Sequence, residues 1–368
     1  MKKYISFFIA AMMAMGAITG CGQKAASESA ATGAADVTEL LSEAATETAG
    51  AETADAGDKI EIVTTIFPEY DWVENILGDK ADNAEVTMLL GNGVDLHSYQ
   101  PSAEDIMKIS TCDLFVYVGG ESDAWVDDAL KEAVNKDMKV VNLLDVLGES
   151  VKEEEVVEGM QAEDHEHEED ADEHDHEEDA DEHDHEEGEV EYDEHVWLSL
   201  KNSQILVNAL SESLQSIDAA NAESYKANAE AYNEKLAALD AEYQKTVDEA
   251  SVKTVLFGDR FPFRYLVDDY GLSYYAAFVG CSAETEASFE TITFLSQKVD
   301  ELSLKAVLTI EGNDHRIADT IVSNTKTKDQ KVLTMDSMQA TTSKDVENGT
   351  TYYSIMENNL SVLKEALN

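Results

Sequence analysis

The sequence predicts an α/β fold of two lobes, each with a parallel-type sheet flanked by helices, joined by one long rigid helix. Three observations lead there. Short apolar runs rich in β-branched residues alternate with helical patterns over residues 60–144. The same alternation resumes over 253–367. Between them, residues 218–250 contain neither Gly nor Pro and are rich in Ala, Glu, Lys and Leu. Strands alternating with helices point to parallel sheets covered on both faces.

The elements follow in chain order. Lys2 and Lys3 precede an apolar run over 4–19 that ends in Ile18-Thr19-Gly20-Cys21. A basic start, a short apolar core and small residues at a cut read as an export signal over 1–20. The run is too short for a comfortable membrane span, which takes about 20 residues. The Ile-Thr-Gly-Cys ending resembles a bacterial lipobox, which makes Cys21 the lipidated first residue of the mature chain and tethers it to a membrane from outside the cytoplasm. Residues 21–58 are mostly Ala, Thr, Ser, Glu and Gly and read as a flexible tether.

The N-terminal lobe is expected over 59–217. Its strands are 60–67 (stopped by Pro68), 86–90, 114–118 and 138–144. Helical patterns fall at 72–77, 103–109, 124–134 and 201–217. The connecting helix is expected over 218–250 with Asp218 as its cap, and would be about 45 Å long at about 1.5 Å per residue. The C-terminal lobe, 251–368, carries strands at 253–257, 274–278, 306–310 and 331–335, and helices at 289–302, 316–325 and 352–367.

Charge is unevenly spread. The chain has 78 acidic and 25 basic side chains, a formal net charge of −53, which argues against nucleic acid as a partner. Close to half of that charge lies between 151 and 194, where 25 acidic residues face one Lys. Within it, 163–189 is a nine-residue repeat that places His165, His167, His174, His176, His183 and His185 in three His-x-His pairs. Imidazole suits zinc, copper and nickel, and like charges at this density keep a segment extended. Residues 153–192 therefore read as an acidic, disordered loop that binds transition-metal ions loosely at several positions. Without fixed geometry, tight and selective binding must come from elsewhere. Protonation of the histidines weakens capture as pH falls.

Two more histidines sit in short, specific contexts. His97 lies in Asp95-Leu96-His97-Ser98-Tyr99-Gln100-Pro101, after the strand ending near Leu90. His195 lies in Asp193-Glu194-His195-Val196-Trp197-Leu198. The His-x-Tyr-x-Pro and Asp-x-His-x-Trp-Leu patterns together resemble the signature motifs of the metal-binding proteins of ABC importers for zinc and manganese (the cluster A-I solute-binding proteins). The resemblance spans 60–368 and includes the acidic His-rich loop of the zinc members.

That resemblance implies two lobes closing on one ion. It makes His97 and His195 metal ligands and picks out Asp336, in Thr334-Met335-Asp336-Ser337, as the family's aspartate. At the remaining ligand position this chain has Arg260, which stays protonated and cannot coordinate a cation. Asp259 is the expected substitute, with Glu311, His315 or water as alternatives, and Arg260 would then pair from behind with a ligand carboxylate. Two histidines plus the tract favour Zn²⁺, with Mn²⁺ or iron as the alternative. The implied function is extracytoplasmic zinc capture for an ABC importer, the partners being its permease and ATPase, by a protein expected to be a monomer. A surface adhesin or metal-storage lipoprotein is the competing reading. No motif such as His-Glu-x-x-His places a general base, so no enzyme is expected. Glu69 reads either as a residue at the site mouth or as a helix N-terminal acid. Cys112 and Cys281 pair or stay free, and the segment around Cys281 receives no function.

Overall fold

The computed structural model describes residues 59–161, 191–282, 286–312 and 314–368. The signal, the tether, Cys21 and the six tract histidines lie outside the described residues.

The first half runs β1 (Ile60–Thr64), α1 (Phe67–Leu77), β2 (Ala84–Met88), α2 (Ala103–Thr111), β3 (Leu114–Tyr117), α3 (Val126–Lys131), β4 (Lys139–Asn142), α4 (Leu143–Leu147) and α5 (Leu200–Ile217). After α6 (Ala222–Glu249) come β5 (Thr254–Phe261), α7 (Arg264–Tyr270), β6 (Ser273–Val279), α8 (Phe289–Leu302), β7 (Ala306–Thr309), α9 (Arg316–Asn324), β8 (Lys331–Thr334), α10 (Ser343–Glu347) and α11 (Tyr352–Ala366). Each half builds a four-stranded sheet. The orders are β2-β1-β3-β4 and β6-β5-β7-β8, the same winding twice, and every pairing is parallel.

Several boundaries differ from the sequence reading for local reasons. The first strand ends at Thr64 rather than at Pro68. Pro68 falls in the opening turn of α1, where a missing N–H costs nothing. Glu69 secures that turn: its Oε2 accepts from Thr65 N (2.8 Å), Thr65 Oγ1 (3.0 Å) and Ile66 N (3.2 Å). It is buried and serves the helix, which is the N-terminal-acid reading. The connecting helix starts at Ala222, not 218. Asp218 instead closes the turn between α5 and α6, accepting from Asn221 Nδ2 (2.7 Å) and Tyr225 OH (2.8 Å). The loop expected over 153–192 is narrower: residues 153 and 192 form an antiparallel bridge, and Gln161 N donates to Ala277 O (2.9 Å).

The two sheets share one core. A single cluster of buried apolar residues runs from Ile62 in β1 to Leu367 after α11. Helix α6 is its spine, burying Tyr225, Ala229, Tyr232, Leu236, Leu239, Tyr243 and Val247 at roughly helical spacing along one face. Its tyrosines reach both halves. Tyr232 OH donates to Asp71 of α1 (3.3 Å) and Tyr243 OH to the Met356 carbonyl of α11 (2.7 Å). Across the seam, Trp197 Nε1 donates to the Ser337 carbonyl (2.9 Å), Tyr352 OH donates to the Trp197 carbonyl (2.7 Å), and the Trp72 and Tyr352 rings meet edge-on at 5.3 Å.

Burial, with Asp123 nearby, pushes the Glu69 carboxyl from 4.5 up to about 8. The folded state therefore holds a proton that the unfolded chain releases above about 4.5, so this group's contribution to stability falls as pH rises from about 4.5 through 8. Glu69→Gln, which keeps the neutral shape, should flatten that decline. Denaturant midpoints at pH 5 and pH 8 check it; an unchanged difference between the two pH values rules Glu69 out as the titrating group.

Candidate metal centre

The site forms at the carboxyl ends of the strands, where open α/β sheets place their ligands. His97 comes from the loop after β2. Its one-turn helix, Leu96–Ser98, is started by Asp95, whose Oδ1 accepts from His97 N (3.1 Å), while the buried Leu96 anchors the turn in the core. Asp95 is itself held from the other half by an ion pair with Arg260 of β5. Burial works against the Asp95 carboxylate, but Arg260 outweighs it and keeps the carboxyl below its ordinary range. Arg260 therefore fixes the loop that carries His97, pairing with Asp95 rather than with any of the carboxylates expected as ligands.

His195 is fully buried in the turn before α5. Asp193 Oδ1 accepts from both its backbone N (2.9 Å) and its Nδ1 (3.0 Å). Burial alone would lower the His195 pKa; Asp193, with Glu194, more than offsets it and leaves it above 6.5. The motif thus has separate parts: Asp193 orients the ring, His195 points it, and Trp197 wedges the turn into the core. Asp193 holds the His195 proton on Nδ1, which leaves Nε2 free to donate its lone pair. His97 is arranged alike. Its Nδ1 is 2.8 Å from Ser122 Oγ and 3.4 Å from Glu194 Oε2.

The two Nε2 atoms face one another at 3.2 Å. Two nitrogens on a tetrahedral ion, each bonded at about 2.0–2.1 Å, lie about 3.3–3.4 Å apart. The imidazoles are therefore already set at the spacing of a shared ion.

The third group here is Cys281. Its Sγ and one ring nitrogen of each histidine all lie within 4.8 Å of one another. Gly280, after β6, makes this possible. A Cβ there would sit 3.0 Å from His195 Cε1 and 3.0 Å from the Phe261 carbonyl, tighter than ordinary contact, so a side chain would have to push the ring or the carbonyl back. Cys281 N donates to Glu154 Oε1 (3.1 Å). Burial and the surrounding carboxylates of Glu154, Asp193 and Glu194 push the thiol pKa well up. Cys112 lies buried elsewhere, and both cysteines are free.

The structure does not bring Asp259, Asp336, Glu311 or His315 into this group. Asp259 Oδ2 accepts from Thr309 Oγ1 (2.5 Å) and Ile310 N (3.3 Å), tying β5 to β7; a register shift between Phe257 and Arg260 accompanies that placement. The same Thr309 hydroxyl meets His315 Nδ1 at 3.2 Å. Glu311 accepts from Ser337 N, Ser337 Oγ and Gln339 N, clamping the loop after β8. Asp336 Oδ1 accepts from Met338 N (2.8 Å) in that loop; burial and the neighbouring Glu311 push its carboxyl up to about 7. Sequence reasoning passed over Cys281. The available signal was an Arg at a ligand position, which demands a replacement donor, together with a Gly-Cys pair just beyond the carboxyl end of a parallel strand.

Beside the trio lies a recess of about 260 Å³ lined by His97, Cys281 and four glutamates, Glu121, Glu154, Glu191 and Glu194. Glu191 is where the chain re-enters the described structure after the tract.

Fold and geometry together define an α/β protein of two parallel sheets in which two imidazoles and a thiol stand close enough to hold a cation. The chain belongs to the family described as zinc-uptake complex component A, periplasmic (ZnuA), whose model matches residues 62–366. It is 30% identical over 313 residues to the zinc-binding protein AdcA of Streptococcus pyogenes, covering 84% of this chain and 56% of that protein. It therefore spans little more than half the length of those relatives. It is also 30% identical over 311 residues to the high-affinity zinc uptake system protein ZnuA of Bacillus subtilis, covering 84% of this chain and 88% of that one. Among solved structures, the Zn(II)-bound ZnuA-like domain of Streptococcus pneumoniae AdcA superposes with a TM-score of 0.62 at 27% identity, covering 84% of this chain and 99% of that domain.

Arg260→Gln should leave the fold intact but free Asp95. The expected result is a rise in the Asp95 pKa and faster hydrogen exchange at the amides of 96–99, both readable by NMR. Unchanged exchange would show that the loop is held without Arg260.

Proposed function

We propose that this protein is an extracytoplasmic, lipid-anchored carrier that captures Zn²⁺ and delivers it to an ABC importer. The observation that carries the reading is the pair of imidazole Nε2 atoms, 3.2 Å apart, with their other nitrogens held by Asp193 and Ser122. Ligand rings locked from behind bind without the cost of ordering them. Family membership and zinc-binding relatives support the choice of ion.

The division of labour follows from charge. The His-rich tract, 163–189, gathers ions weakly, and the glutamate-lined recess at its return point attracts cations towards His97 and His195. Release to the importer's permease, driven by its ATPase, completes delivery. Cys21 carries the lipid that keeps a monomeric carrier at the membrane surface.

Calorimetric zinc titration tests the assignment. A His97→Ala, His195→Ala double variant should lose the tight site, and deletion of 163–189 should keep it while removing weaker binding. Tight binding that survives the double variant would sink the histidine assignment. Tight binding that disappears with the tract would make the tract the primary site.

A further inference from the structure

We infer that Cys281 is the third ligand of the cargo ion, so that a thiolate replaces the C-terminal donor of the pattern and tunes the site to thiophilic divalent cations. The inference rests on the zinc-capture reading and names the donor that gives that site its selectivity.

Three independent features converge on this sulfur. The first is vacancy of the expected donor position. Arg260 is committed to Asp95, and Asp259 to Thr309 and Ile310, so β5 offers the ion no ligand. The second is placement. Sγ lies within 4.8 Å of a ring nitrogen of each histidine. A sulfur and a nitrogen sharing a tetrahedral ion, at about 2.3 Å and 2.0–2.1 Å from it, lie about 3.5–3.6 Å apart. A small adjustment of the thiol closes that gap. The third is Gly280, whose missing side chain is what lets this strand end press against His195. The strand end that carries Cys281 is thereby brought up to the His195 ring.

Two imidazoles and one thiolate form a zinc-type donor set. Sulfur suits zinc and softer ions and suits manganese poorly, since manganese prefers oxygen donors. As the metal–sulfur bond forms, the thiol proton is released to solvent, because a coordinated thiol is deprotonated. Three protein donors leave one position for water, as in open zinc sites; such a site exchanges its ion more readily than a closed one.

The test uses the full mature chain. With Co²⁺ as the probe, the wild type should show a sulfur-to-cobalt charge-transfer band in the near ultraviolet at the first equivalent, and Cys281→Ser should not. The tract contains no cysteine and Cys112 is buried away from the histidines, so a band lost in Cys281→Ser reports on this site. Cys281→Ser should weaken zinc binding by more than the roughly 10–100-fold that residues behind a ligand typically cost, and should narrow the preference for Zn²⁺ over Mn²⁺. Zn²⁺ should also protect Cys281 of the unmutated protein from iodoacetamide, a readout that needs no variant to fold. An unchanged zinc affinity in Cys281→Ser, absence of the cobalt band in the wild type, or alkylation equally fast with and without zinc would each overturn the proposal. Any of these with the His97, His195 dependence intact removes only the cysteine; loss of that dependence removes the zinc-capture reading itself.

Discussion

The constraint on which everything else depends is the single core beneath two sheets. Trp197 and Tyr352 sit at the seam, each giving a hydrogen bond to a carbonyl, and α6 runs behind both halves. Parting the sheets would break those buried bonds and expose apolar surface at about 25 cal/mol per Å². The site's donors therefore stand on a frame that cannot open widely. His97, His195 and Cys281 come from three separate loops, yet a donor atom of each lies within 4.8 Å of the others. Closure of the kind imagined for two free lobes has little left to do.

Electrostatics is arranged in layers around that frame. Next to the donors are groups that hold rings and loops in place: Asp193 on His195, Ser122 on His97, Arg260 on Asp95. Beyond them four glutamates line the recess. The inner layer spends its charge on geometry and the outer layer on attraction. Arg260 shows how a cation can serve a cation site: by neutralising Asp95 it stiffens the His97 loop without facing the ion as a donor.

Much of the architecture was legible in the sequence, because strand and helix periods are local and the winding repeats. The eight strands stand where alternating apolar runs put them, and α8 begins and ends as its pattern indicates. The boundaries that moved did so where a side chain overrode propensity, as Asp218 closes a turn rather than opening a helix. At the site, His97 and His195 stood out because each lies in a short motif whose other members support it. Cys281 did not, because its neighbours in space, Glu154 and the two histidines, are distant in sequence. Asp259 attracted notice by standing one residue from Arg260. It sits where the register of β5 shifts between Phe257 and Arg260, however, and its carboxylate serves Thr309 instead.

The bridge between Glu153 and Tyr192, with Gln161 fastened to Ala277, has an evolutionary consequence. The described residues on either side of the histidine repeat, Gln161 and Glu191, are each tied to the frame by a backbone hydrogen bond. The closure cost of a connection grows slowly, by only about 0.6 kcal/mol for each doubling of length. A lineage can therefore gain or lose whole nine-residue units while every described contact stays as it is. The number of histidines becomes a quantity that can drift or be selected without disturbing the described frame.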